Sequence, residues 1–168
     1  MNRFAFTMVE LVFVIVILGI LSAVAIPKLA ATRDDAEVAK IRTDVSSIRS
    51  AIISERQTRL IRGESFYIPQ LDDASSADKQ ELFDGNITHQ VLTYPVISSL
   101  DPITSNPVSG KWIKTGFNNY MVNAGGTIIP FTYYPTQVVD TTPTPDIVYR
   151  AGSFDCNRSS DDCTLLLR

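Results

Sequence analysis

The chain has 168 residues, a formal net charge of −3, 45% apolar and 20% charged residues, which is enough for one ordinary domain and too little for two with separate cores. Eight glycines, two cysteines and ample apolar content exclude collagen-like, disulfide-dense and disordered classes. Residues 1–62 carry nine Lys/Arg against six Asp/Glu, and residues 63–168 carry six against twelve, so the isolated C-terminal portion repels polyphosphate and is not expected to bind nucleic acid directly.

Residues 4–26 contain a single charge, Glu10, and residues 11–26 contain none. A bilayer core is crossed by about 20 apolar residues at about 1.5 Å each, so this length predicts a transmembrane helix. A secretory signal peptide is the rival reading, with Ser22-Ala23-Val24-Ala25 standing where its cleavage site would be. Glu10 separates the two, because a carboxylate inside an apolar span is costly in lipid and persists only with a function or a partner.

The run Ala5-Phe6-Thr7-Met8-Val9-Glu10-Leu11, followed by the apolar span and by Pro27 at its end, resembles the processing signal of type IV prepilins and type II secretion pseudopilins. The resemblance covers about residues 3–62. It implies a five-residue leader (1–5), cleaved by a prepilin peptidase between Ala5 and Phe6 with N-methylation of Phe6, then a transmembrane segment (6–27), an amphipathic helical segment (28–62) and a globular head (63–168). Where the family usually carries Gly before the cut, this chain has the small Ala5. The resemblance also implies that Glu10 guides assembly by meeting the amine of Phe6 on a neighbouring subunit, a pairing that gives register more than raw stability.

Beyond Pro27, a residue that spanning helices tolerate where a kink is accommodated, Val38, Ile41, Val45, Ile48 and Ile52 recur at spacings of three and four. That is a narrow apolar stripe on one helix face, with charges filling the others. It is expected to pack on the chain's own head, a dimeric coiled coil being disfavoured by the small number of heptads. Arg59 and Arg62 before Gly63 predict the helix end.

In the head, residues 76–84 read as a short helix with a capping Ser76 and Gly85 as its stop. The β-branched and aromatic runs 112–115, 117–122 and 127–134 predict strands, Gly125-Gly126 a hairpin between the last two, residues 147–150 a further strand and residues 164–168 a closing one. The expected fold is α+β, a long N-terminal helix packed on a small antiparallel sheet through Val38, Ile41, Val45 and Ile48 facing Trp112, Tyr120 and Ile128. The family resemblance implies the same architecture.

Cys156 and Cys163 are the only cysteines. A head delivered outside the inner membrane meets oxidising conditions, which favours a disulfide between them, and the pair resembles the C-terminal disulfide loop of many type IV pilins. Zinc lacks two further ligands. Asp155, Asp161 and Asp162 beside the loop offer oxygens to a calcium ion, without the EF-hand spacing. Asn86-Ile87-Thr88 and Asn157-Arg158-Ser159 are the only Asn-x-Ser/Thr triplets, each with Asp two residues earlier, and resemble the extended acceptor of bacterial N-linked glycosylation.

Catalytic patterns are weak. His89 is the only histidine and has no Ser or Cys partner pattern, and neither HExxH nor a phosphate-binding glycine motif is present. A membrane-anchored periplasmic enzyme is therefore the least favoured reading, and no cofactor is expected. The favoured expectation is a structural subunit of a periplasm-spanning pseudopilus, serving type II secretion or DNA uptake, with a surface type IV pilin as the alternative. The resemblance implies an inner-membrane, single-pass subunit with a periplasmic head, whose partners are like subunits, an assembly platform and its ATPase.

Overall fold

The computed structural model describes residues 7–85, 90–142 and 145–167. Helix α1 (Met8–Ile61) has 54 residues and contributes to two compact units, Met1–Ala36 and Glu37–Arg168. In the first unit the apolar side chains from Met8 to Ile26 are exposed on every face, and this 19-residue stretch is long and apolar enough to cross a membrane. Only lipid or other apolar surfaces satisfy a helix that is hydrophobic all round. Pro27 lies inside α1, which is helical on both sides of it.

The second unit is a helix-on-sheet head. Ile41, Val45, Ile48 and Ile52 are buried to 3% exposure or less, and Val38 packs half-buried at the margin of the same core, so the three-and-four spacing does place one stripe inward. α1 stops where Arg59 and Gly63 predict. Gly63 adopts φ +84°, the Glu64 N–H donates to the Arg59 carbonyl at 2.9 Å and the Gly63 N–H to that of Leu60 at 3.0 Å. These two bonds satisfy carbonyls that the helix end would otherwise orphan.

The central sheet is antiparallel with strand order β3-β4-β5-β8, comprising β3 (Trp112–Lys114), β4 (Asn119–Ala124), β5 (Thr127–Tyr134) and β8 (Ser153–Cys156). Gly125 and Gly126, at φ +59° and +92°, make the two-residue turn that joins β4 to β5 with Ala124 opposite Thr127. Two-stranded sheets flank it: β1 (Glu81–Leu82) with β2 (Val96–Ile97), and β6 (Val138–Asp140) with β7 (Ile147–Tyr149). Phe83, Trp112, Tyr120, Phe131 and Phe154 form a continuous set of ring contacts between α1 and the sheet.

The α+β architecture expected from the sequence is present, with four local corrections. Residues 76–84 are not helical. Lys79 and Phe83 sit at φ +55° and +63°, Glu81 and Leu82 pair with Ile97 and Val96, and the adjacent Leu82 and Phe83 are both fully buried, a demand one helix face would meet poorly. Of the closing strand expected over 164–168, the described residues 164–167 do not pair with the sheet; they belong to helix α2 (Asp161–Leu167). The Cys163 N–H donates to Ser160 Oγ at 3.2 Å as a cap, while Cys163 and Leu166 enter the core one turn apart. The alternation in β5 runs one residue out of the expected phase, so Ile129 rather than Ile128 is buried. The proline-rich stretch after β5 carries β6, and β8 lies in a segment that no strand was expected to occupy.

Candidate functional site

Ala5 and Phe6, the expected processing site, lie outside the described residues, as do Asn86 and His89. The side chain of Pro27 is likewise outside them. Glu10 is described, and it stands in the first turn of α1. Its Oε2 accepts the Thr7 backbone N–H at 2.9 Å and the Thr7 hydroxyl at 2.8 Å, while the Glu10 N–H donates to Thr7 Oγ1 at 3.3 Å. This is a reciprocal capping box, with Thr7 at the cap and Glu10 three residues on. The Thr-x-x-Glu spacing carries the signal for it. Glu10 is thereby the only acid of the apolar span and also the group that closes its first turn.

At the other end of the chain, Cys156 and Cys163 form the expected disulfide, with Cα atoms 5.7 Å apart. Asp155, the neighbour of Cys156, is 2% exposed and is held by two arginines. Arg49 donates to Oδ1 at 2.8 Å, and Arg158 donates to Oδ2 through Nε at 2.8 Å and through a second guanidinium nitrogen. Asp161 and Asp162 are exposed in the first turn of α2. Among the described residues no three His, Cys, Asp or Glu side chains come together as a metal-holding group. Asn157 is exposed, with Oδ1 accepting the Ser159 N–H at 3.0 Å and its hydroxyl at 2.6 Å. It sits on the wall of a cleft of about 380 Å³ lined also by Thr132, Tyr134, Asp140 and Tyr149. The Asp140 carboxyl is held below its ordinary range by hydrogen bonds from the Thr142 hydroxyl and N–H.

The head also contains a polar centre that sequence patterning did not single out. Asp72 is fully buried and Lys114 is 6% exposed, and Lys114 Nζ lies 2.6 Å from Asp72 Oδ1. The same ammonium donates to the Asp72 carbonyl at 3.1 Å. Oδ2 accepts the Tyr120 hydroxyl at 2.8 Å and the Phe83 N–H at 3.0 Å, and Oδ1 accepts the Ala74 N–H at 3.1 Å. Burial, then the charge of and hydrogen bond to Asp72, push the Tyr120 hydroxyl far above its usual range, so it remains a donor. Lys114 shares strand phase with Trp112, which points it inward, but that local signal does not name Asp72 as its partner.

No protein-family model, no curated protein and no solved structure matches the chain.

Proposed function

We propose that this protein is a structural subunit of a pseudopilus-like filament, held in the bacterial inner membrane before assembly. The observation that carries the reading is the position of Glu10. It is the single acid of a 19-residue apolar helical span, four residues after Phe6 in the run Ala5-Phe6-Thr7-Met8-Val9-Glu10. An acid so placed within a lipid-embedded span is a register device, because a staggered neighbour presenting a positive amine satisfies it and a misplaced one does not. The head, with its core supplied by the second half of α1, is the part such a subunit would carry in the periplasm. Prepilin peptidase, an assembly platform with its ATPase, and further pilin-like subunits are the partners this reading entails. Secretion of folded proteins and DNA uptake in transformation are the two tasks such a filament would serve.

A surface type IV pilin is the second reading, and the disulfide closing the C-terminal loop is the feature that favours it. Mass spectrometry of the protein extracted from its native membrane tests the processing shared by both: an N-methylated Phe6 terminus is expected, and cleavage after Ala25 overturns it. Glu10→Ala is expected to be cleaved normally yet to enter sheared filaments poorly. Wild-type incorporation by that variant would remove the assembly role from Glu10. Microscopy of intact cells then separates surface fibres from a filament confined to the envelope.

A further inference from the structure

We propose that Lys114 and Asp72 condense into an intramolecular amide, a covalent cross-link between the segment following α1 and strand β3. The amine nitrogen is already seated on the carboxylate it would attack, with Nζ 2.6 Å from Oδ1, one bond away from Cγ, and the carboxylate fully buried. The surroundings are apolar and aromatic: Phe83, Trp112 and Tyr120 are all fully buried in the same core. A fixed pair of this kind meets at an effective concentration no free amine and acid reach, and exclusion of water removes the competing hydrolysis.

The arrangement around the carboxylate is that of an acyl-transfer site. Tyr120 O–H and Phe83 N–H both donate to Oδ2, the atom on which negative charge grows when Nζ adds to Cγ, and such paired donors stabilise the tetrahedral intermediate. Phe83 holds its N–H there from a left-handed backbone conformation, φ +63°, which a non-glycine residue adopts at an energetic cost. On the other oxygen, Oδ1, the Ala74 N–H donates. The ammonium transfers one proton to the carboxylate, leaving amine and acid. Nζ then attacks Cγ, the new C–N bond forms, the C–Oδ1 bond breaks, and Oδ1 departs as water carrying two of the three ammonium protons. The products are a neutral secondary amide and one water, from one ammonium and one carboxylate, with no oxidant or co-reactant required.

Asp84 stands within electrostatic reach of Asp72, and it is the acid to which the proposed step assigns the relay of a proton from nitrogen to Oδ1. Its Oδ1 is buried without a hydrogen-bond partner among the described residues, and burial followed by the neighbouring carboxylates, Asp72 first, raises its hold on a proton.

Tryptic mapping of the full chain, reduced and denatured after extraction in detergent, tests the cross-link directly. Residues 63–79 and 112–150 are expected as one branched species, one water lighter than the sum of the two peptides and uncut at Lys114. Recovery of 63–79 and 112–114 as separate, unmodified peptides overturns the proposal. Lys114→Arg keeps the buried cation but lacks the amine, and complete loss of the branched species is expected; its persistence would assign the bond to another lysine. The cross-linked fraction is expected to fall in Asp84→Asn and to recover in Asp84→Glu, and equal fractions in all three chains would remove Asp84 from the step.

Discussion

Arg49 on α1 and Asp155 on β8 join the two walls of the head. The guanidinium donates to Asp155 Oδ1 at 2.8 Å and, through Nε, to the Phe154 carbonyl at 3.0 Å. Asp155 is 2% exposed, whereas Arg49 and Arg158 keep 39% and 48% of their side-chain surface in water. The carboxylate is therefore the group that depends on the pair. Asp155→Ala is expected to lower stability by about 1–2 kcal/mol, less than for a pair buried on both sides because the arginines can rehydrate. Chemical denaturation of the purified chain in detergent reads this, and Arg158→Ala should cost less than Arg49→Ala, which also loses the bond to Phe154.

The stripe on α1 predicts a contrast within one helix. Ile48 is fully buried and Ile53 is 60% exposed. Ile48→Ala should cost about 3 kcal/mol, through lost burial and the cavity left behind, and Ile53→Ala should lie within about 0.5 kcal/mol of wild type. Equal effects in the same denaturation measurement would mean that the helix packs with a different face.

Reduction of the Cys156–Cys163 bond frees a short loop in the unfolded chain. A short loop of this kind corresponds to about 2 kcal/mol. Denaturation midpoints with and without reductant should differ accordingly, and the double variant Cys156→Ser, Cys163→Ser should match the reduced protein and no longer respond to reductant.

Asp84 gives the head a pH dependence of defined sign. Burial, followed by the carboxylates of Asp72, Glu81 and Asp73, raises its affinity for a proton in the folded state. A folded-state value above the unfolded one means that stability is full below the ordinary carboxylate range and is lost as pH rises through the raised value. Burial, the largest cause, acts whatever the state of Asp72. Denaturation midpoints stepped upward in pH should decline more steeply in wild type than in Asp84→Asn, with the difference between the two chains confined to that window.

The Thr7–Glu10 box predicts the behaviour of the first turn of α1. Thr7→Ala removes the hydroxyl that exchanges bonds with Glu10, and the amides of the first turn should exchange hydrogen about fivefold faster in detergent micelles. Unchanged exchange would show that Glu10 closes the turn through the Thr7 N–H alone.

What was legible in the sequence was what local spacing encodes. Ile41, Val45, Ile48 and Ile52 announce one helix face, Gly125-Gly126 announces a hairpin, and the apolar span announces itself by length. The stop at Gly63 follows from the same kind of rule. Residues 76–84 show where such rules yield: a capping serine and a terminal glycine favour a helix, but burying Leu82 and Phe83 side by side outweighs them. The end of the chain misleads in the opposite direction, since Thr164-Leu165-Leu166-Leu167 has the composition of a strand, while the disulfide and the Ser160 cap turn it into helix. The centre at Asp72 was not legible because its partners, Lys114 and Tyr120, stand 42 and 48 positions away, and only the folded sheet brings them together.

Leu166 and Cys163 share one hydrophobic core with Ile41 and Ile48. A chain made from its amino end has thus completed its apolar span, and the helix face that awaits the sheet, long before the last pieces of that core exist. Until Leu166 arrives the stripe from Ile41 to Ile52 has no finished surface to cover it. Synthesis of the span therefore precedes closure of the head, and anything that keeps those four side chains from wandering in the interval acts on an unfinished protein, not on the folded one.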